Sequence, residues 1–269
     1  MKILYNHPLH FFHSDNKRIE EAMSELNKSL DRGITILKQI AMENAVGLRE
    51  LSRITGASLS ATEKIVKTLE EHKFVAKNES GKIILGNELF FLGKTVESRT
   101  NSIQFTLQEM KELVKDIDET VYLIKRNEKH IVFIEGVKSS HPIQYTPEIG
   151  KPYDLPYGAT GHAFMAFMEK NEVIDVLDYY KMDSEETFKK LEIVREKQYA
   201  LSYQGRFEGL AGVAFPILTK DGKVPFVLAI AIPTYRYSEE KIDYIIERTQ
   251  KTVNKLQTLI GYAVEGSVK

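Results

Sequence analysis

The sequence predicts an α+β chain of two domains, with a winged helix-turn-helix at the N-terminal end. Three observations carry that prediction. Residues 29–87 run as helix, helix, tight turn, helix and short hairpin. One helical segment, residues 88–100, follows as a linker. From residue 101 to residue 269, strands and helices mix without a regular strand–helix–strand repeat, which favours α+β over a doubly wound fold. A length of 269 residues is ample for two cores.

Residues 1–28 read as an N-terminal extension. Ile19, Ala22, Met23 and Leu26 keep helical spacing and predict a short amphipathic helix over Asp15–Lys28. His7, His10 and His13 are spaced by three, but Pro8 interrupts the helix that would align them, and no metal site is expected. Leu30, Ile34, Leu37, Ile40 and Ala41 then form a dense helical stripe. After Gly47, Leu48, Leu51 and Ile54 mark a second, shorter helix, closed by the turn Thr55-Gly56-Ala57-Ser58. Ser60-Ala61-Thr62-Glu63 has the S-x-x-E form of a capping box and predicts the start of a third helix, with Ile65, Val66 and Leu69 inward. Phe74–Lys77 and Lys82–Leu85 are strand candidates joined by Asn78-Glu79-Ser80-Gly81, a turn sequence.

Leu89, Phe90, Leu92 and Val96 place a helix after the hairpin, and Ile103, Leu107, Met110, Val114 and Ile117 place another. Strands are expected at Val121–Lys125, Ile131–Glu135, Ala211–Leu218 and Phe226–Pro233. Lys220-Asp221-Gly222-Lys223 is the hairpin turn between the last two. Phe164–Met168 falls in a helix, and a long helix closes the chain from about Ser238 to Tyr262.

Composition removes several classes of function. Cysteine is absent, which excludes disulfides, zinc-thiolate sites, iron–sulfur clusters and thiol nucleophiles. No apolar run approaches the ~18 residues of a membrane helix, and the N-terminus lacks a secretory pattern, so a cytoplasmic protein is expected. No nucleophile elbow, P-loop or dinucleotide fingerprint is present, and Ser139-Ser140-His141 are chain neighbours beside Pro142. An enzyme is not expected, nor a cofactor.

An α-helix fits the major groove of B-DNA and reads base edges near its N-terminus. With Ile65, Val66 and Leu69 inward, the third helix presents Ser60, Ala61, Lys64 and Lys67 outward. Lys64 and Lys67 can reach guanine acceptors or phosphates, Ser60 a base or phosphate, and Ala61 a thymine methyl. Arg49 and Arg53 on the second helix, and Lys77 and Lys82 on the wing, are placed to grip the backbone. The net charge of -1 conceals an uneven split. Residues 29–87 hold nine Lys/Arg against seven Asp/Glu, residues 1–28 four of each, and the remainder 24 against 27. A head of only +2 binds DNA weakly alone, so two heads acting together are expected.

Several segments together resemble the IclR family of bacterial transcriptional regulators, over about Ser29 to Gly261. Ser29-Leu30-Asp31-Arg32-Gly33 resembles the family's opening S-L-x-R-G, and Arg49-Glu50-Leu51-Ser52-Arg53-Ile54-Thr55-Gly56 its T-E-L-A-x-x-T-G. Thr68-Leu69-Glu70-Glu71 with Phe74-Val75, and Leu85-Gly86 with Leu92-Gly93, resemble the pattern around the wing. Gly161-His162-Ala163 and the stretch Gly209 to Pro216 resemble motifs of its C-terminal domain. The resemblance implies a GAF-like effector-binding domain behind the linker helix. It also implies dimers or tetramers on palindromic double-stranded DNA, and control by a small metabolite, often an acid.

The departures are concentrated. Ser58-Leu59-Ser60-Ala61 lacks the family's threonine, Lys64 replaces an arginine, and Lys73 replaces the glycine before the wing. Lysine lacks arginine's two-pronged donor geometry. In the effector domain, the resemblance places Tyr157, Gly158, Ala159, Gly161, His162, Gly212, Ala229 and Ala231 at or beside the ligand. Gly212, Ala229 and Ala231 stand where the family commonly has small polar residues. Their loss predicts a less polar ligand, a different one held through His162, Tyr157 and Tyr203, or a degenerate sensor that binds none.

Overall fold

The computed structural model describes residues 27–98 and 102–265. His7, His10 and His13, and the expected helix over Asp15–Lys28 as far as residue 26, lie outside the described residues. The chain forms two compact units that divide between Gly93 and Lys94, inside the expected linker helix.

The first unit follows the predicted order. Helix α1 (Lys28–Glu43) starts where the Asn27 side chain accepts from the amides of Ser29 and Leu30. Helix α2 (Leu48–Thr55) and helix α3 (Leu59–Glu71) follow. Strands β1 (Val75–Lys77) and β2 (Ile83–Leu85) pair antiparallel as the wing, with Lys77 opposite Ile83. Val46 adds a bridge to Ile83, and so ties the segment between α1 and α2 to the wing. Ile36, Ile40, Leu51, Val66, Val75 and Ile83 meet in one core, one or two from each element. Helix α4 (Asn87–Ser98) carries the chain out of the wing.

One expectation at α3 is corrected. Ser60 is not the cap, and Ser60–Glu63 is not a capping box. Ser58 has extended backbone and its hydroxyl accepts from the Ala61 amide, so the helix begins two residues earlier. Thr62 is fully buried and donates to the Ser58 carbonyl at 3.0 Å, so it belongs to the inner face. At its other end, α3 stops with Lys73 at φ 59°. The Lys73 amide donates to Glu70 (2.9 Å) and the Phe74 amide to Leu69 (2.8 Å). That bond pattern is a Schellman stop, which favours glycine at the position lysine occupies here.

The second unit is a six-stranded antiparallel sheet with helices on both faces, the GAF-like layout. It comprises α5 (Ser102–Ile117), β3 (Thr120–Asn127), β4 (His130–Val137), β5 (Pro152–Asp154), α6 (Gly158–Met165), α7 (Lys170–Tyr180), α8 (Ser184–Lys197), β6 (Ala200–Tyr203), β7 (Leu210–Ile217), β8 (Phe226–Pro233) and α9 (Glu239–Glu265). The strand order is β5-β4-β3-β8-β7-β6. Successive side chains leave opposite faces of a strand. Val121, Leu123, Leu228, Ile230 and Ile232 therefore pack with Met110 of α5 and Ile245 of α9. Tyr122, Ile124, Val227, Ala229 and Ala231 pack with Phe164 of α6 and Leu191 of α8. Both faces are covered, which is why β8 is buried along its whole length and reads as a continuous apolar run.

Candidate DNA-contacting face and ligand cavity

On α3 the outward residues are those the helical period selects. Ser60, Lys64 and Lys67 are exposed while Thr62 and Val66 are buried. Ala61 is half-buried against the turn that Ser58 caps. Neither the Lys64 nor the Lys67 ammonium is in an ion pair among the described residues, so both cations are unengaged. Arg49 and Lys82 are also exposed and unpaired. Arg53 sits 3.9 Å from Glu50, a loose surface pair that costs little to break. Lys77 is 3.6 Å from Glu70 of α3 and so braces the wing against that helix. Lys77 remains exposed on the wing. Glu71 is exposed on the last turn and Glu63 beside Lys64, so the cationic part of the face is the pair Lys64 and Lys67.

A cavity of about 50 Å³ lies in the second unit between the sheet and the first turn of α6. Its floor exists because small residues coincide. Gly212 of β7 pairs with Ala231 of β8, and Ala229 pairs with Ala214 and Tyr122 across the neighbouring strands. Its roof is Gly158, Ala159 and Thr160, where α6 starts. Gly158 has φ 72°, and a Cβ there would stand 3.2 Å from the Arg206 Cβ, so both its backbone and its neighbour call for glycine. Tyr122, Phe133 and Tyr145 form an aromatic wall, with ring centroids 5.3–6.2 Å apart in edge contacts.

The loop that carries Tyr145 is fixed at its base. Ser140 Oγ donates to Asp118 at 2.9 Å and His141 Nε2 lies 3.2 Å from the same carboxylate. Ser140 and His141 thus share an anchor and are not aligned with each other as nucleophile and base. The Tyr122 hydroxyl donates to the Tyr145 carbonyl. The Tyr145 hydroxyl is buried and makes no hydrogen bond among the described residues.

Five predicted ligand residues line this cavity: Gly158, Ala159, Gly212, Ala229 and Ala231. Four lie outside its lining. Tyr157 packs on Tyr180 (6.0 Å) and Tyr203 on Tyr237 (5.2 Å) at the surface. His162 is half-buried elsewhere on α6, where burial, with Lys190 and Arg206 nearby, pushes its imidazole down to about 4. Gly161 is a packing residue, because a Cβ there would meet the Leu155 carbonyl oxygen at 2.0 Å.

Of the lining residues that the sequence did not point to, Arg206 is the charged one. It lies in the β6–β7 loop, and its Nη2 donates to the carbonyls of Asp154 (2.9 Å) and Tyr157 (2.6 Å). No carboxylate is within ion-pair distance of it among the described residues, and Asp154 Oδ1 accepts instead from the Tyr180 hydroxyl at 3.2 Å. Burial pushes the guanidinium down from its ordinary value. No spacing rule links residue 206 to residue 158, so only a clue outside periodicity could have found it. That clue is Arg206 between Gly205 and Gly209, a long cation in a turn-forming segment.

Residues 29–79 match the IclR helix-turn-helix domain, and residues 94–258 match the bacterial transcriptional regulator IclR C-terminal domain. The chain belongs to the IclR family. As a member it is a DNA-binding transcriptional regulator, and its relatives are regulators, not enzymes. It is 29% identical over 237 residues to the HTH-type transcriptional regulator KdgR of Escherichia coli K12, covering 84% of this chain and 90% of that one. It is 22% identical over 249 residues to KipR of Bacillus subtilis, covering 89% and 100%. The crystal structure of an IclR regulator from Alicyclobacillus acidocaldarius has the same fold, with a TM-score of 0.77 at 22% identity over 88% of this chain and 99% of that one. Among the described residues of this IclR-family chain, no helix is long and apolar enough to cross a membrane.

Proposed function

We propose that this protein is a transcriptional repressor, acting as a dimer or tetramer, whose affinity for a palindromic operator is set by a small acid held beneath α6. Two heads place their α3 helices in successive major grooves, about 34 Å apart. Arg49, Arg53, Ser60, Ala61, Lys64, Lys67 and Lys82 supply the contacts, with Lys77 doing so only at the expense of its pair with Glu70. Repression is supported by family members named as repressors, among them IclR of Escherichia coli K12, 25% identical over 154 residues.

The observation that carries the ligand reading is Arg206. A cavity lined by one guanidinium without a carboxylate partner favours an anion over the less polar ligand that the loss of small polar residues suggests. Size narrows it further. Benzene occupies a cavity of ~150 Å³. About 50 Å³ suits an acid of two or three carbons and not a ring. The same small volume also supports a second reading, a sensor that binds nothing and acts through protein contacts.

Fluorescence anisotropy with the upstream intergenic DNA, repeated with acetate, glyoxylate and pyruvate, tests the proposal. Affinity should fall steeply with salt and shift with at least one acid, by a coupling of ~1–3 kcal/mol. A salt-insensitive signal removes the DNA assignment. Operator binding indifferent to every acid, with no acid raising the melting temperature, selects the second reading.

A further inference from the structure

The guanidinium that lines the cavity also ties two segments of the chain together. Arg206 reaches from the β6–β7 loop across to the corner between β5 and α6, where its Nη2 holds two backbone carbonyls, those of Asp154 and Tyr157. Its Nε and Nη1 make no hydrogen bond among the described residues. A guanidinium offers a carboxylate two forks, Nε with Nη2 or Nη1 with Nη2. Both forks contain Nη2, the nitrogen already engaged. An acid gripped through either fork therefore takes a hydrogen of Nη2 away from the corner. The buried Tyr145 hydroxyl, without a partner in the same cavity, is a further donor for the acid.

We propose that Arg206 is both the anchor for the effector's carboxylate and a latch that the effector opens, exchanging its hold on the Asp154 and Tyr157 carbonyls for the acid and so loosening the β5–α6 corner. This rests on the acid-effector reading above and adds its specificity residue and its structural consequence. The exchange is favourable for a stated reason. A half-buried cation facing only neutral carbonyls gains a counter-charge, and an ion–ion fork adds a Coulomb attraction that a carbonyl acceptor does not supply. The corner gives up two bonds from a cation to neutral carbonyls and gains freedom where α6 starts, at Gly158 with φ 72°.

The test uses the full chain with acetate, glyoxylate and pyruvate, and acetamide as the neutral control. Calorimetry should show at least one acid binding and acetamide not binding. Arg206→Gln should weaken that acid about 10- to 100-fold, and Tyr145→Phe should weaken it less. Hydrogen exchange of the amides in 155–161 should speed up when the acid binds the parent, against the usual slowing by a ligand. Should Arg206→Gln fail to fold, Arg206→Lys serves. It keeps the charge without the fork, and should bind at least 10-fold more weakly with no acceleration of exchange.

Acid affinity within twofold of the parent in these Arg206 variants overturns the proposal and leaves the effector reading standing. Binding that depends on Arg206 while exchange at 155–161 stays unchanged or slows overturns the latch. If none of the three acids binds the parent, the proposal and the acid-effector reading fall together.

Discussion

Gly161 and Gly212 both look like ligand residues in the sequence, and the structure predicts opposite outcomes for the same substitution. At Gly161 a methyl would stand 2.0 Å from the Leu155 oxygen and 2.9 Å from the Pro156 carbonyl carbon. Both are backbone atoms, so no side chain can rotate away. Real Cβ contacts stay above 3.0 Å, so α6 must withdraw from the preceding segment by about 1 Å. Interiors packed at crystal density do not absorb that shift freely. Gly161→Ala should cost about 2–4 kcal/mol and lower the melting temperature by roughly 5–15 °C. At Gly212 the nearest atoms are the Ile230 oxygen at 3.6 Å and the Ala159 Cβ at 3.8 Å, which is ordinary contact. Gly212→Ala should melt within about 2 °C of the parent. Its methyl instead fills much of a floor in a cavity of about 50 Å³, so acid binding should fall at least 10-fold. Differential scanning fluorimetry and calorimetry on both variants decide the matter. If Gly161→Ala melts like the parent, the close approach of α6 is wrong. If Gly212→Ala binds acid normally, the ligand is not in this cavity.

Four further outcomes are expected. Lys64→Ala and Lys67→Ala should each lower operator affinity and reduce the salt slope by about 0.9 with unchanged oligomer state; two variants that bind like the parent would misplace the DNA face. Lys73→Gly relieves the φ of 59° at the Schellman stop and should stabilise the wing by about 0.5–1 kcal/mol, seen as slower hydrogen exchange over 75–85; faster exchange would refute the strain. The His162 imidazole titrates near 6.5 when unfolded and about 4 when folded, so the unfolded chain takes the proton first and stability falls as pH drops from 6.5 to 4. His162→Asn should flatten that part of the pH–melting profile, worth about 2–3 kcal/mol, and an unchanged profile would show the imidazole is not buried as described. Glu119 is fully buried and accepts from Arg236 Nε and Nη2 (2.8 Å each) and Lys241 (2.6 Å). Glu119→Ala strands those cations and should cost about 3–5 kcal/mol by urea unfolding; a loss under 1 kcal/mol would mean that water already screens the group.

Much of the first unit was legible because its signals are local. Ile36, Ile40, Leu51 and Val66 recur at helical spacing, and Asn78 to Gly81 is turn chemistry, so period and propensity point the same way. The cap of α3 was not, because Ser58 and Ser60 both precede acceptable helix residues and only the extended backbone of Ser58 distinguishes them. In the second unit, β5 is three residues long and begins at Pro152, β6 is a four-residue edge, and α7 and α8 bury few residues each, so none of the four stood out from its surroundings.

The sequence by itself determined the two-domain α+β order, the family and the outward lysines of α3, since the elements and the α3 face depend on near neighbours and the family on the order of short motifs along the chain. It also determined that small residues stand at 158, 159, 212, 229 and 231. That these five enclose one cavity was decided by the antiparallel register, which sets Gly212 beside Ala231 and brings both under α6. That the cavity is not simply apolar was decided by Arg206, about fifty residues from the carbonyls it holds. A lost polar group can be read from the position where it is missing, but a charge that replaces it from another loop has no signature until the chain folds.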